Sequence, residues 1–307
     1  MMEIAMEPNQ SRARQDSTED SAPPGRVNPT VRRRRLGSEL RKLREQTGMT
    51  AEEVAQKLLV SQSKISRLEN GRRSISQRDV RDLCEVYAVK DESMVDGLMT
   101  MARESRQRGW WHAFGDVPYS VYIGLEAEAL AVRNYESLFM PGLLQTRDYA
   151  RAVVAGIQPE ATAEQIDKRT DIRMVRQELI NVPDNPLRVW AVIDEAALHR
   201  EVGNPATMRE QLDHLAEQSL RPHITVQVLP YSVGAHPGMS GTFSILEFKD
   251  ALDASVVYLE GVTSDLYLEK EADVRLYSMM YEHLRAQALN ADQTRDLIDR
   301  ISKGFAR

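Results

Sequence analysis

Residues 49–71, MTAEEVAQKLLVSQSKISRLENG, constrain this chain more than any other stretch, because two helix starts stand eleven residues apart with room between them only for a tight turn. Thr50 followed by Glu53 is a capping box, with Met49 and Val54 at the staple positions on either side. Ser61 offers the second N-cap hydroxyl, with Val60 before it and Ile65 four residues inside. Val54, Leu58, Ile65 and Leu68 form an inward stripe, and Ala55 is small enough to let the two helices approach closely. The outward face of the second helix carries Gln62, Ser63, Lys64, Ser66 and Arg67, residue types that can donate to base edges and phosphate oxygens. Asn70-Gly71 closes that helix, since either residue tolerates a left-handed backbone, and Arg72 and Arg73 follow at once.

The stretch resembles the helix-turn-helix of the XRE family, the phage-repressor-like DNA-binding domains, most closely in SQSKISRLENG. Two positions depart from that family's habit. Leu59 stands where a turn glycine is usual, at a cost of about 1–2 kcal/mol for a side chain in a left-handed turn. Ala51 stands where Gln is frequent, which removes one phosphate contact. The resemblance implies a regulator that binds double-stranded DNA as a homodimer on two half-sites. Its expected DNA-facing residues are Arg33, Arg34, Arg35, the caps Thr50 and Ser61, the helix face Gln62, Ser63, Lys64, Ser66 and Arg67, and then Asn70, Arg72 and Arg73.

Charge is distributed to match. The net charge of −6 argues mildly against nucleic acid, but residues 26–109 hold 19 Lys and Arg against 12 Asp and Glu. That stretch therefore carries +7 and the remainder −13. A length of 307 residues suggests two domains, and no apolar run reaches the ~18 residues of a membrane span. Residues 1–30, polar and proline-bearing, have the composition of a disordered tail. Arg32, Arg33, Arg34 and Arg35 come next, either solvated or reaching along the minor groove as a basic arm. A helix is predicted over 35–46 from Leu36, Leu40 and Leu43. Beyond the central pair, Ser76 caps a helix with Val80, Leu83, Val86 and Tyr87 on one face. Met94, Leu98 and Met101 mark the next helix as core-facing. The lone Cys84 reads as a buried inert thiol, and a reducing cytoplasm is the expected compartment.

Gly109-Trp110-Trp111 marks the seam between a DNA-binding domain over 31–108 and a second domain over 109–307 that senses an effector, docks a partner or dimerises. The second domain reads as mixed α/β with a sheet of about five strands, so the whole is α+β with an N-terminal five-helix bundle. Helices are predicted over 125–138, 163–180, 205–220, 270–289 and 292–302 and near 146–155. Strands are predicted over 187–193, 223–229, 241–248, 254–259 and 264–268. This region resembles the uncharacterised C-terminal domain that follows an XRE domain in many actinobacterial regulators, in RGWW at 108–111, MPGLLQTRDYARAV at 140–153, QVLPYSVGAHPGMSGTFSILEF at 227–248 and VVYLEG at 256–261. The resemblance implies a transcriptional regulator, often encoded beside a small companion protein as in toxin–antitoxin pairs. It leaves an unknown small-molecule effector open beside the companion protein.

A chemical site is hard to find. H-E-x-x-H, P-loop, G-x-G-x-x-G and G-x-S-x-G patterns are absent, so neither an enzyme nor a bound cofactor or metal is expected. His223 and His236 are too far apart to share a metal without a third ligand. His236, in GAHPGMSG, reads either as a ligand contact or as a loop residue satisfied by backbone.

Overall fold

The computed structural model describes residues 29–71, 73–106, 119–249, 255–261 and 263–305. The expected tail lies outside them but for residues 29 and 30, as do Arg72 and the Gly109-Trp110-Trp111 seam. The N-terminal part is helical: α1 Pro29–Gln46, α2 Ala51–Lys57, α3 Gln62–Glu69, α4 Gln77–Val86 and α5 Glu92–Glu104. Local chemistry sets these starts. Thr50 with Glu53 and Ser76 with Asp79 form reciprocal capping boxes, and Ser61 and Asp91 cap α3 and α5. Leu36, Leu40, Val54, Ile65, Leu68, Val80, Leu83 and Leu98 meet in one buried cluster, with Cys84 and Tyr87 among them. Met94 is 44% exposed, so the methionine row of α5 faces the core only in part.

The arginine run is a correction to the sequence reading. The first helix begins at Pro29, not near residue 35, so Arg32 to Arg35 are helical and do not form an extended arm. Proline suits a first helical turn because its missing N–H has no partner there in any case. Gly37 makes α1 possible at this place. A Cβ on it would stand 2.6 Å from the carbonyl oxygens of Leu68 and Glu69, so only glycine lets α1 lie on the end of α3.

The second part holds α6 Ser120–Glu128, β1 Ala129–Glu136, α7 Arg147–Ile157, α8 Ala163–Gln177, β2 Arg188–Asp194, α9 Glu195–His199 and α10 Pro205–Gln218. These are followed by β3 Ile224–Leu229, β4 Phe243–Phe248, β5 Val256–Leu259, β6 Leu266–Leu268, α11 Glu271–Gln287 and α12 Ala291–Gly304. The overall fold is α+β as expected, with six strands in the order β3-β2-β1-β4-β5-β6. Parallel pairing joins β1, β2 and β3, with helices between them, while β1–β4, β4–β5 and β5–β6 are antiparallel.

The additional strand is β1, whose residues the sequence reading placed in a helix over 125–138. Val132 pairs with Val189 on one side and Leu246 on the other, and this two-sided ladder overrides the helix preference of the alanine-rich run EAEALA. Side chains of β1 alternate. Val132 joins Leu144, Tyr149, Ala191, Leu212 and Ile298 on one face of the sheet. Tyr135 joins Ile245, Val257, Tyr281 and Leu284 on the other, beneath α11. Met208, Leu212 and Leu215 of α10 are buried as expected. Among the described residues, no helix is long and apolar enough to cross a membrane.

Candidate nucleic-acid interface

The turn between α2 and α3 shows how this surface is built. Leu59 takes the left-handed conformation at φ 54°, and the chain closes α2 with Leu59 N–H donating to Gln56 O and Val60 N–H to Ala55 O. Those two bonds make a Schellman motif, so the leucine sits where glycine is usual without changing the geometry of the turn. The same pattern closes α4, where Ala88 also has φ 54° and Val89 N–H donates to Cys84 O. Leu59 is 93% exposed, so its side chain gains nothing from packing.

Ser61 opens α3, its hydroxyl accepting from Lys64 N–H at 3.2 Å. Ile65 and Leu68 point into the core, and Gln62, Ser63, Ser66 and Arg67 stand exposed on the other side. Arg67 folds along the helix, its Nε donating to Ser63 O at 3.1 Å. Asn70 donates to Ser66 Oγ at 3.3 Å. Gly71, at φ 62°, takes the left-handed position after α3, and Arg73 is exposed beyond it. Thr50 is exposed but engaged with Glu53.

Lys64 and the arginines of α1 are placed differently from the expectation. Lys64 reaches inward to Asp79 at 2.9 Å, tying α3 to the cap of α4. Arg34 pairs with Glu269 and Arg32 with Glu104, so the first turns of α1 hold the fold together. Arg33 is half-buried, and burial together with the neighbouring Arg34 charge lowers its affinity for its proton. Arg35 lies on the same helix and is half-buried as well. A residue the sequence reading passed over turns out to matter more. Arg44 donates through Nε and Nη2 to Glu69 at 2.7 and 3.0 Å, and through Nη1 to Met49 O at 2.7 Å. This guanidinium joins α1, the start of α2 and the end of α3, and so fixes the tilt of the outward face. The signal in sequence was a buried-side Glu in SRLENG, which needs a cation.

His236 is held on one side only, its Nδ1 being buried with no hydrogen-bond partner among the described residues. Its Nε2 lies 3.4 Å from Asp194 Oδ2, a carboxylate that also accepts from the Tyr135 hydroxyl at 3.2 Å. His223 Nε2 lies 2.9 Å from Ile180 O, so the two histidines serve separate places.

Comparison with known protein families gives two matches. The family described as Helix-turn-helix domain matches residues 35–98. The family described as Domain of unknown function (DUF5753) matches residues 119–300, more than half of the chain. Neither the curated proteins nor the solved structures contain a match.

Proposed function

Because the chain belongs to the DUF5753 family and carries a DNA-binding helix-turn-helix ahead of the family domain, we propose that it is a sequence-specific transcriptional regulator of the XRE type. In this reading a homodimer inserts α3 of each protomer into successive major grooves of an operator. What supports it is the division of α3 into a face held by Ile65 and Leu68 and an exposed face of Gln62, Ser63, Ser66 and Arg67. The first turn of a recognition helix meets base edges, and Gln62 can pair bidentately with adenine for about 1–3 kcal/mol of discrimination. Arg73, past the helix end, meets phosphate.

The test begins with selection of a duplex from a random-sequence library by the full chain. Footprinting of that duplex should protect two half-sites about 34 Å apart. Gln62→Ala should weaken the selected duplex roughly 5–150-fold and barely change binding to a scrambled one, whereas Arg73→Ala should weaken both alike. Equal loss on both duplexes for Gln62→Ala would mean that another face of α3 reads the bases.

A second reading is an antitoxin-like protein that binds a small companion protein and autoregulates its own operon. Leu276 and Met279, three residues apart on α11 and 51% and 59% exposed, favour it as an apolar surface outside the DNA-binding helices. Co-expression with the product of an adjacent small gene, if one exists, separates the two readings, since the first needs no stable complex.

A further inference from the structure

On the sheet face that carries Val132, the side chains of Asn134 and Glu136 border a partly open cavity of about 80 Å³. Arg173 and Arg176 of α8, Tyr122 and Glu126 of α6, and Tyr258 and Glu260 line it as well. Protein interiors do not usually collect so many ionisable groups in one place without a task for them.

The cavity sorts into a satisfied part and an unsatisfied part. Arg176 is satisfied: its Nε and Nη2 donate to the two oxygens of Glu126 at 2.7 and 2.8 Å, both side chains are under 10% exposed, and its guanidinium lies over the Tyr122 ring. That pair is neutral as a unit. Arg173 is not satisfied. Its Nη1 donates to a neutral amide, Gln145 Oε1, at 2.8 Å, and its Nε is buried with no hydrogen-bond partner among the described residues. Asn134, only 6% exposed, donates through Nδ2 to Glu136 Oε1 at 3.3 Å, and its Oδ1 is likewise buried without a partner. Each such group is destabilising while it stays unmet, because it has given up its hydrogen bonds to water for none in the protein.

The two needs are complementary. Arg173 offers a positive donor and lacks an anionic acceptor, whereas Asn134 Oδ1 is an acceptor that lacks a donor, with the carboxyl side chains of Glu136 and Glu260 lining the same cavity. A molecule meeting both carries an anion and a cation on adjacent atoms. Size sets the rest: the cavity is about half of the ~150 Å³ that admits a benzene molecule, so only a small head group enters. We propose that this cavity binds the ammonium–carboxylate head of a free α-amino acid, with the carboxylate on Arg173, the ammonium on Asn134 Oδ1 among the acidic side chains that line the cavity, and the amino-acid side chain directed to the open side.

Isothermal titration of the full chain at pH 7 with glycine, alanine, acetate and methylammonium tests this. Glycine or alanine should bind at least tenfold more tightly than acetate or methylammonium, because neither fragment satisfies both ends. Arg173→Met and Asn134→Leu should each weaken that binding tenfold or more. Gln145→Glu supplies Arg173 with an internal carboxylate at the cost of the hydrogen bond that Gln145 Nε2 donates to Met140 O, so it should abolish binding without opening a hole in the core. Melting curves of each variant establish that it is folded. Acetate binding as tightly as glycine, no saturable binding of any probe, or full binding by folded Gln145→Glu would each overturn the assignment. The titration contains no DNA, so its failure leaves the DNA-binding reading untouched.

Discussion

Leu59 shows how much a single residue can tell. It adopts a backbone that favours glycine, with its side chain almost wholly in water, so the strain of about 1–2 kcal/mol is returned by no contact. Glycine would remove the strain at an entropic cost of roughly 0.5–1 kcal/mol in the unfolded chain. Leu59→Gly should therefore stabilise the helical region by about 0.5–1 kcal/mol, read as a higher denaturation midpoint; a lower midpoint would show that the leucine is held by something outside the described residues. Glu136 gives a second residue-scale prediction, this time of pH. Burial pushes its carboxyl up to about 8, against a hydrogen bond from Asn134 that lowers it, with Glu260 nearby raising it and Arg173 lowering it. Tyr149 of α7 also senses the Glu136 charge. The folded state thus holds a proton that the unfolded chain releases near pH 4.5, so this contribution to stability is present below that pH and is lost as pH rises through 8. Melting temperature should fall between pH 6 and 9 and fall less in Glu136→Gln. Parallel curves for the two proteins would mean that Glu136 is ionised throughout.

At the scale of elements, what was legible in sequence was what is decided locally. Thr50, Ser61 and Ser76 cap helices where their hydroxyls can reach the third N–H beyond, a matter of four residues, and all three starts were placed correctly. The strand β1 was missed because its own residues accept either conformation and the choice is made by β2 and β4, more than fifty residues and one hundred residues away. The arginine run was misplaced for the same reason, since nothing near it in sequence announces Glu104 or Glu269. The cavity was invisible because its walls come from several segments that only the fold brings together. The placement of α1 also changes the expected electrostatics of DNA binding. Log affinity falls with log salt by about 0.9 for each phosphate neutralised. Replacing Arg73 by Gln should flatten that slope by about 0.9, while Arg32→Gln and Arg34→Gln, which remove internal ion pairs, should lower thermal stability and leave the slope unchanged. A flatter slope in either α1 variant would return those arginines to the DNA.

At the scale of the whole molecule, a chain of contacts connects the cavity with α3. α1 lies on the end of α3 at Gly37, packs against α6, and pairs through Arg34 with Glu269 beside β6. α6 in turn supplies Tyr122 and Glu126 to the cavity wall. A ligand that draws Arg173 and Asn134 toward itself acts on the wall that α6 forms, and α6 bears on the helix that carries α3. Linkage then demands reciprocity: whatever factor glycine applies to affinity for the selected duplex, the duplex must apply to affinity for glycine. Coupling between sites of this kind is typically about 5–150-fold. The prediction is that saturating glycine changes duplex affinity within that range, and that the two factors, measured independently by titrating each ligand in the presence and absence of the other, agree. Glu269→Gln, which weakens the tie from α1 to the sheet while leaving both binding surfaces intact, should bring both factors toward one. If glycine binds and the duplex affinity does not move, the cavity serves something other than control of DNA binding; if the factors survive Glu269→Gln unchanged, the coupling runs through the α1–α6 contact alone.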